Sequence, residues 1–157
     1  MAWVLLYRKD IDASLRAYER AHELNPNDPD ILALWADAVS YAGDPERALE
    51  MVDRAKRLNP HYPDIYLWSE ADALFSLRRY REVIACIGQM RDPAEGSRLL
   101  AASHAYLGEV EQARRNAAIV LRRQPGFRVD DWISIQPEAD PAEAEHFREG
   151  LLLAGLP

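Results

Sequence analysis

Four histidines, one cysteine and 26 acidic residues are the side chains here that could carry acid–base, nucleophilic or metal chemistry. Their spacing argues against each use. His22, His61, His104 and His146 lie far apart, and none has ligand spacing with Cys86. A lone cysteine cannot form an internal disulfide. Cys86 sits in the apolar run Val83-Ile84-Ala85-Cys86-Ile87, so a small buried hydrophobe is expected. His104 shares a helical stretch with Ala101, Ala102 and Ala105, which places it in a core or groove rather than in the role of a base. No Gly-rich phosphate loop, paired-cysteine zinc motif or His-Glu-x-x-His occurs. Most acids fall at helix starts or on outer helix faces, where structural roles account for them. The expectation is a chain with no catalytic residues, no metal site and no cofactor.

Composition bounds the elements behind these side chains. The chain has 157 residues, 48% apolar and 29% charged, enough for one compact domain or a short solenoid. Ala, Leu, Glu and Arg dominate and β-branched residues are sparse, which favours helix. A net charge of −7 repels phosphate backbones, so no nucleic-acid partner is expected. The basic residues Arg114-Arg115 and Arg122-Arg123 read as a solvated helix face. Met1 to Tyr7 is apolar but too short for a membrane span, and it lacks a signal peptide's basic flank and cleavage site. A cytoplasmic protein without a membrane partner is the resulting expectation.

The strongest signal is internal repetition. Residues 19–31 match residues 53–65 at an offset of 34, with Arg, Ala, Leu, Asn, two prolines, Asp and Ile coinciding. Tyr41, Gly43, Glu46 and Ala48 fall on Tyr106, Gly108, Glu111 and Ala113 at an offset of 65. Two units near 34 residues give that spacing if one linker is short, and Gln89 to Pro93, which lacks the Asn-Pro stop, is the place for it. Gly43 and Gly108 suit left-handed helix ends. Asp44-Pro45-Glu46 reads as a helix start, with Asp as cap and Pro at the first position. Asp28-Pro29, Asp92-Pro93 and Asp140-Pro141 repeat the device, the last two with Glu95 and Glu143 placed as in a capping box. Helices are expected at about 11–24, 29–42, 45–58, 63–77, 80–90, 94–107 and 109–123, after a remnant at 2–8. The third unit, where Arg78-Arg79-Tyr80 replaces Gly-Asp-Pro, is expected to be the least regular.

A period near 34 residues carrying Trp35-Ala36, Tyr41, Gly43, Ala48, Ala55 and Pro60 resembles the tetratricopeptide repeat family. The resemblance implies an all-α fold, a right-handed superhelical solenoid of antiparallel helix pairs. The units would be 1–26, 27–60, 61–92 and 93–125, about three and a half repeats, with 126–157 as a carboxyl-terminal extension and capping helix. In that extension Ala144, Phe147, Leu151 and Ala154 form an apolar stripe, and Gly155 ends the helix. Trp132, Pro137, Asp140-Pro141-Ala142, Phe147 and Glu149-Gly150-Leu151 are similar to the carboxyl-terminal repeat regions of bacterial class III adenylate cyclase-like proteins. Glu138 stands where that family shows an aromatic residue. The similarity implies an upstream cyclase or DNA-binding effector domain in a parent chain.

In such arrays the first helix of each pair forms the concave side. That places Asp37, Tyr41, Trp68, Phe75, Arg98, Ala102 and Tyr106 in a groove for a protein or peptide partner, with aromatic residues as anchors. Trp35 is expected in the core. The Lys/Asn/Arg clamp by which some family members hold carboxyl-terminal tails is absent, since Asp37 and Ala71 stand where amides are expected. Asp37 beside aromatic residues would suit an apolar or basic segment. At the amino end, Trp3, Val4 and Leu6 would lack part of their partner surface. Either the chain is a fragment of a longer one, or this end docks on a second copy to form a homo-oligomer.

Overall fold

The computed structural model describes residues 1–157 and is helical throughout, with no strand. Four antiparallel pairs follow one another. They are α1 (Ala2–Tyr7) with α2 (Ile11–Leu24), α3 (Pro29–Tyr41) with α4 (Pro45–Leu58), α5 (Asp64–Ser76) with α6 (Tyr80–Ile87), and α7 (Ser97–Tyr106) with α8 (Val110–Arg123). Two further helices, α9 (Val129–Ser134) and α10 (Pro141–Leu153), complete the chain. The caps act as the sequence implies. Asp28, Asp44 and Asp140 accept from backbone amides of the first turns of α3, α4 and α10, each with proline at the start.

Two expected starts differ in detail. Asp92 caps a 3-10 turn, Pro93–Gly96, rather than the α-helix, which begins at Ser97. The tight turn is drawn in by Gly96, where an added Cβ would lie 2.6 Å from Ile87 Cγ2. The capping boxes do not close. The Asp92 amide donates to Asp64 Oδ2, and the Glu143 carboxylate turns away to Arg78.

In the third pair the second helix is the shortest, 8 residues in α6 against 14 in α4 and α8, but its turn still closes because Arg78, at φ 62°, takes the left-handed region that glycine occupies at Gly43 and Gly108. That conformation costs a non-glycine residue about 1–2 kcal/mol. Here the guanidinium holds the turn by donating to Ser76 O and, in a two-pronged contact, to Glu143. Lys9 takes the same φ between α1 and α2. The repeat spacing shortens because α6 stops at Ile87, and Asp64 ties down the following loop through the Arg91 and Asp92 amides.

Alanine lets the pairs approach closely. Ala33, Ala36, Ala48, Ala55, Ala71 and Ala101 are fully buried. The second helices bury a single stripe, Ala48, Val52 and Ala55 in α4 and Ala113, Ala117 and Val120 in α8. By contrast α3 and α5 are buried over most of their surface, since each lies between neighbouring pairs. Leu15, Trp35, Leu49 and Tyr62 bridge the clusters of buried residues, so one apolar seam runs along the stack. Trp35 is partly buried against this seam, beside His22. Cys86 is buried as expected, its thiol 3.3 Å from Leu67 O.

The first helices touch one another in succession, α1 on α3, α3 on α5, α5 on α7. The second helices do not pack on each other to that degree, so the stack bends toward the first-helix side. The tail uses that bend: α10 closes the last pair from its inner side, lying on α7 and α9.

Candidate functional site

The inner face has two halves. Along the carboxyl ends of the first helices it is covered by residues 126–157. Gly150 sets the closest approach: an added Cβ would lie 2.7 Å from the Tyr106 ring and 2.8 Å from Ala102 Cβ. Phe147 packs on Phe75 with ring centroids 4.6 Å apart, and His146 stacks on Tyr106 at 4.3 Å. The Tyr106 hydroxyl donates to His146 O, and the Tyr80 hydroxyl lies 2.9 Å from His146 Nε2. Further along, the Ala139 amide donates to Tyr41 O and Lys9 Nζ donates to Ser134 O. The tail thereby reaches from the last pair back to the first.

The other half, along the amino ends of the first helices, is open. A cavity of about 670 Å³ is lined there by Trp3, Leu34, Asp37, Trp68 and Arg98, among others. Two buried polar atoms in these residues, Asp37 Oδ1 and Arg98 Nε, have no hydrogen-bond partner. Arg98 forms no ion pair, and its guanidinium lies over the Trp132 ring at 5.0 Å. Buried polar groups are nearly always paired, so two orphans in one cavity mark it out.

Between the halves lies a group of acids, Asp37 and Asp72 buried and Glu138 partly buried. Burial pushes the Asp37 carboxyl well above the usual carboxylate range, and the Asp72 charge adds to it. Asp72 is pushed up to about 7, chiefly by burial, against a 3.3 Å hydrogen bond from Ser40 Oγ. Glu138, on the tail, is pushed up to about 9 by burial and by the charges of Asp72, Glu143, Asp37 and Asp140. Burial likewise raises Tyr41 and lowers Arg98. These shifts come from desolvation, with no base–nucleophile pair beside them.

The structure thus divides the expected groove residues. Asp37, Trp68 and Arg98 meet in the open cavity. Tyr41 and Phe75 are buried, and Ala102 and Tyr106 lie directly under α10. Of the amino-terminal residues, Trp3 and Val4 are about half exposed, at 52% and 50%, and Trp3 joins the cavity wall. Leu6 is fully buried against Tyr18, Ala38 and Tyr41, so it contributes to the core and not to an exposed end. His104 Nδ1 lies 2.6 Å from Glu109 Oε2, where it ties α7 to the start of α8. Asp72 and Glu138 join Asp37 in this acid group, and sequence reasoning gave neither a site role. Glu138 was visible only as an acid in place of an aromatic. No three His, Cys, Asp or Glu side chains converge as metal ligands, and no helix is long and apolar enough to cross a membrane.

No curated protein matches the sequence. Solved structures do. A MamA RS-1 double mutant superposes with a TM-score of 0.65 at 19% identity, over 97% of this chain and 89% of that one. A crystal structure of MamA gives 0.64 at 17%, over 99% and 94%. MamA from residue 41 to its end, from Desulfovibrio magneticus RS-1, gives 0.65 at 17%, over 97% and 90%. At such identities these likenesses concern the fold alone. The family described as anaphase-promoting complex, cyclosome, subunit 3, matches residues 8–90, more than half of the sequence. With that match and the stacked helix pairs together, the chain belongs to this family of tetratricopeptide-repeat proteins.

Proposed function

We propose that this chain is a non-catalytic protein-interaction scaffold whose inner groove holds a peptide or helix of a partner. The observation that carries the reading is the open cavity between Trp3 and Trp68, with unpartnered polar atoms on Asp37 and Arg98. An apolar anchor would fill the space between the tryptophans, and a hydrogen-bonding group beside it would satisfy the two orphans. Burial disfavours a charge on Asp37 and Arg98 has no carboxylate partner, which weakens the case for a basic ligand drawn from Asp37. Selecting peptides from a random display library against the full chain tests the reading. A selected peptide should shift the backbone amide signals of Trp3, Asp37, Trp68 and Arg98, and Trp68→Ala should weaken it at least tenfold. Peptides that map elsewhere and bind the variant equally well would refute it.

A second reading is favoured by the exposure of Trp3 and Val4 at the end of the array. Here the chain is an oligomerisation or regulatory module of a larger protein, through contact with a second copy. Light scattering over a concentration series decides, since a monomer at high concentration rules it out.

A further inference from the structure

We propose that the covered half of the inner groove is a helix-binding surface, occupied by the chain's own α10 as a displaceable internal ligand. Its partner is an amphipathic helix with the same display, an aromatic residue followed three positions later by a small one. The inference rests on the groove reading above and extends it to a surface outside the open cavity.

Four features of the contact support it. The first is its ligand-like geometry. α10 presents Phe147 and Gly150 to a surface built by three separate helices of the array: Phe75 of α5, Tyr80 of α6, and Ala102 and Tyr106 of α7. Gly150 lets the two helices meet almost backbone to backbone, and Phe147 and His146 fill the aromatic socket beside it. This is the way an amphipathic helix lies in a groove, with anchors spaced three and four residues apart.

The second is that, beyond the groove, α10 meets only α9, through Trp132 on Phe147 and Asp130 on Arg148. Leu152 and Leu153 are 40% and 60% exposed, so the remaining edge of the helix faces solvent. The third is the approach. Ile135, Ala139 and Asp140, between α9 and α10, are exposed, and the ties of this stretch to the array include the Ala139 amide to Tyr41 O. Swinging α10 out from Ile135 also releases the buried Gln136 and Pro137, and it unstacks no repeat pair.

The fourth is the cost of docking. The docked tail brings Glu138 beside Ser40 and Tyr41, within the field of Asp37 and Asp72, and none of these three carboxyl groups has a bonded cation. The fork from Arg78 goes to Glu143 instead. Bringing like-signed groups into a poorly solvated place opposes docking, so the apolar gain at Phe147 and Gly150 is partly offset. A segment held this way opens more readily than the repeat core. The same features define the partner. It needs a small residue where Gly150 lies and an aromatic where Phe147 lies. One helical turn before the aromatic, an acid would reach Arg78 as Glu143 does. An occupant lacking the Glu138 counterpart would bind without the acid cluster and so compete with the tail.

Hydrogen exchange on the wild-type full chain reads the opening without any partner. The amides of α10 should exchange at least tenfold faster than those of Leu67 and Leu99 in the repeat core. Binding is read with a fluorescein-labelled peptide of residues 136–157, by anisotropy, against the full chain and its Gly150→Leu variant. The variant's own tail cannot seat, so its groove should take the peptide at least tenfold more tightly than the wild type does. Exchange of α10 in step with the repeat core overturns the proposal. So does a Gly150→Leu protein with native helicity that captures no peptide. Should that variant fail to fold, the exchange experiment decides alone. Neither measurement involves the cavity between Trp3 and Trp68, so failure here and failure of the groove reading are told apart.

Discussion

Glu138 is the sharpest handle on how the tail is held. It faces Asp37 and Tyr41 of α3, Asp72 of α5, and Asp140 and Glu143 at the start of α10. Its carboxyl is pushed from 4.5 to about 9, first by burial and then by those negative charges. The folded chain therefore keeps a proton that the unfolded chain releases. Stability must fall as pH rises through the interval between the two values, at about 1.4 kcal/mol per pH unit for one such group. Asp72, pushed up to about 7, adds a like contribution at lower pH and little above it. His146 is lowered from 6.5, so its opposite effect is confined to more acidic solution. Burial raises Asp37 in the same direction in both proteins, so it is the difference between wild type and Glu138→Gln over the step from pH 7 to pH 8 that reads Glu138. Over that unit the wild type should lose about 1.4 kcal/mol more unfolding free energy than Glu138→Gln, which keeps the shape without the titration. Urea unfolding followed by far-ultraviolet circular dichroism at the two pH values measures both. Equal losses in the two proteins would show that Glu138 is solvated, and the account of the docked tail would fail with it.

Two further outcomes follow from packing. Gly96→Ala places a methyl 2.6 Å from Ile87 Cγ2 and 2.9 Å from its Cδ1, so it should cost about 1–3 kcal/mol of stability. Adding Ile87→Val removes the Cδ1 methyl and should return part of that loss in the same urea assay. Cys86 is 3% exposed and burial pushes its thiol well above the ordinary range, so the native protein should resist an aromatic disulfide reagent and react only once unfolded. Prompt reaction of the native thiol would contradict the packing of α6 on α5.

Much of the architecture was legible because it is encoded locally. A helix start needs a capping oxygen and a tolerated proline within three residues, and Asp28-Pro29, Asp44-Pro45 and Asp140-Pro141 supply both. The 34-residue match between Ala21 and Ala55 reports helix pairs whose small residues allow close approach. The third pair was harder to read, because the signal sought was a glycine and the residue in the left-handed position is Arg78. Its compensation comes from Glu143, 65 positions away, and no local pattern shows such a partner.

The groove residues show the same divide. Helical periodicity put Asp37, Trp68, Phe75, Arg98 and Tyr106 on the first helices of their pairs, since it depends only on a fixed rotation per residue. It could not say that Trp68 and Arg98 border open space while Phe75 is buried. That difference is set by where α10 lies. An apolar stripe of Ala144, Phe147, Leu151 and Ala154 demands some apolar surface but names none, since burial free energy is non-directional. The sequence by itself determined the repeat helices and their order, though not α9 or the early stop of α6. Only the tertiary structure decided which surface the tail takes, because that choice turns on the fit of Gly150 against Ala102 and Tyr106, a match of shapes between distant parts of the chain.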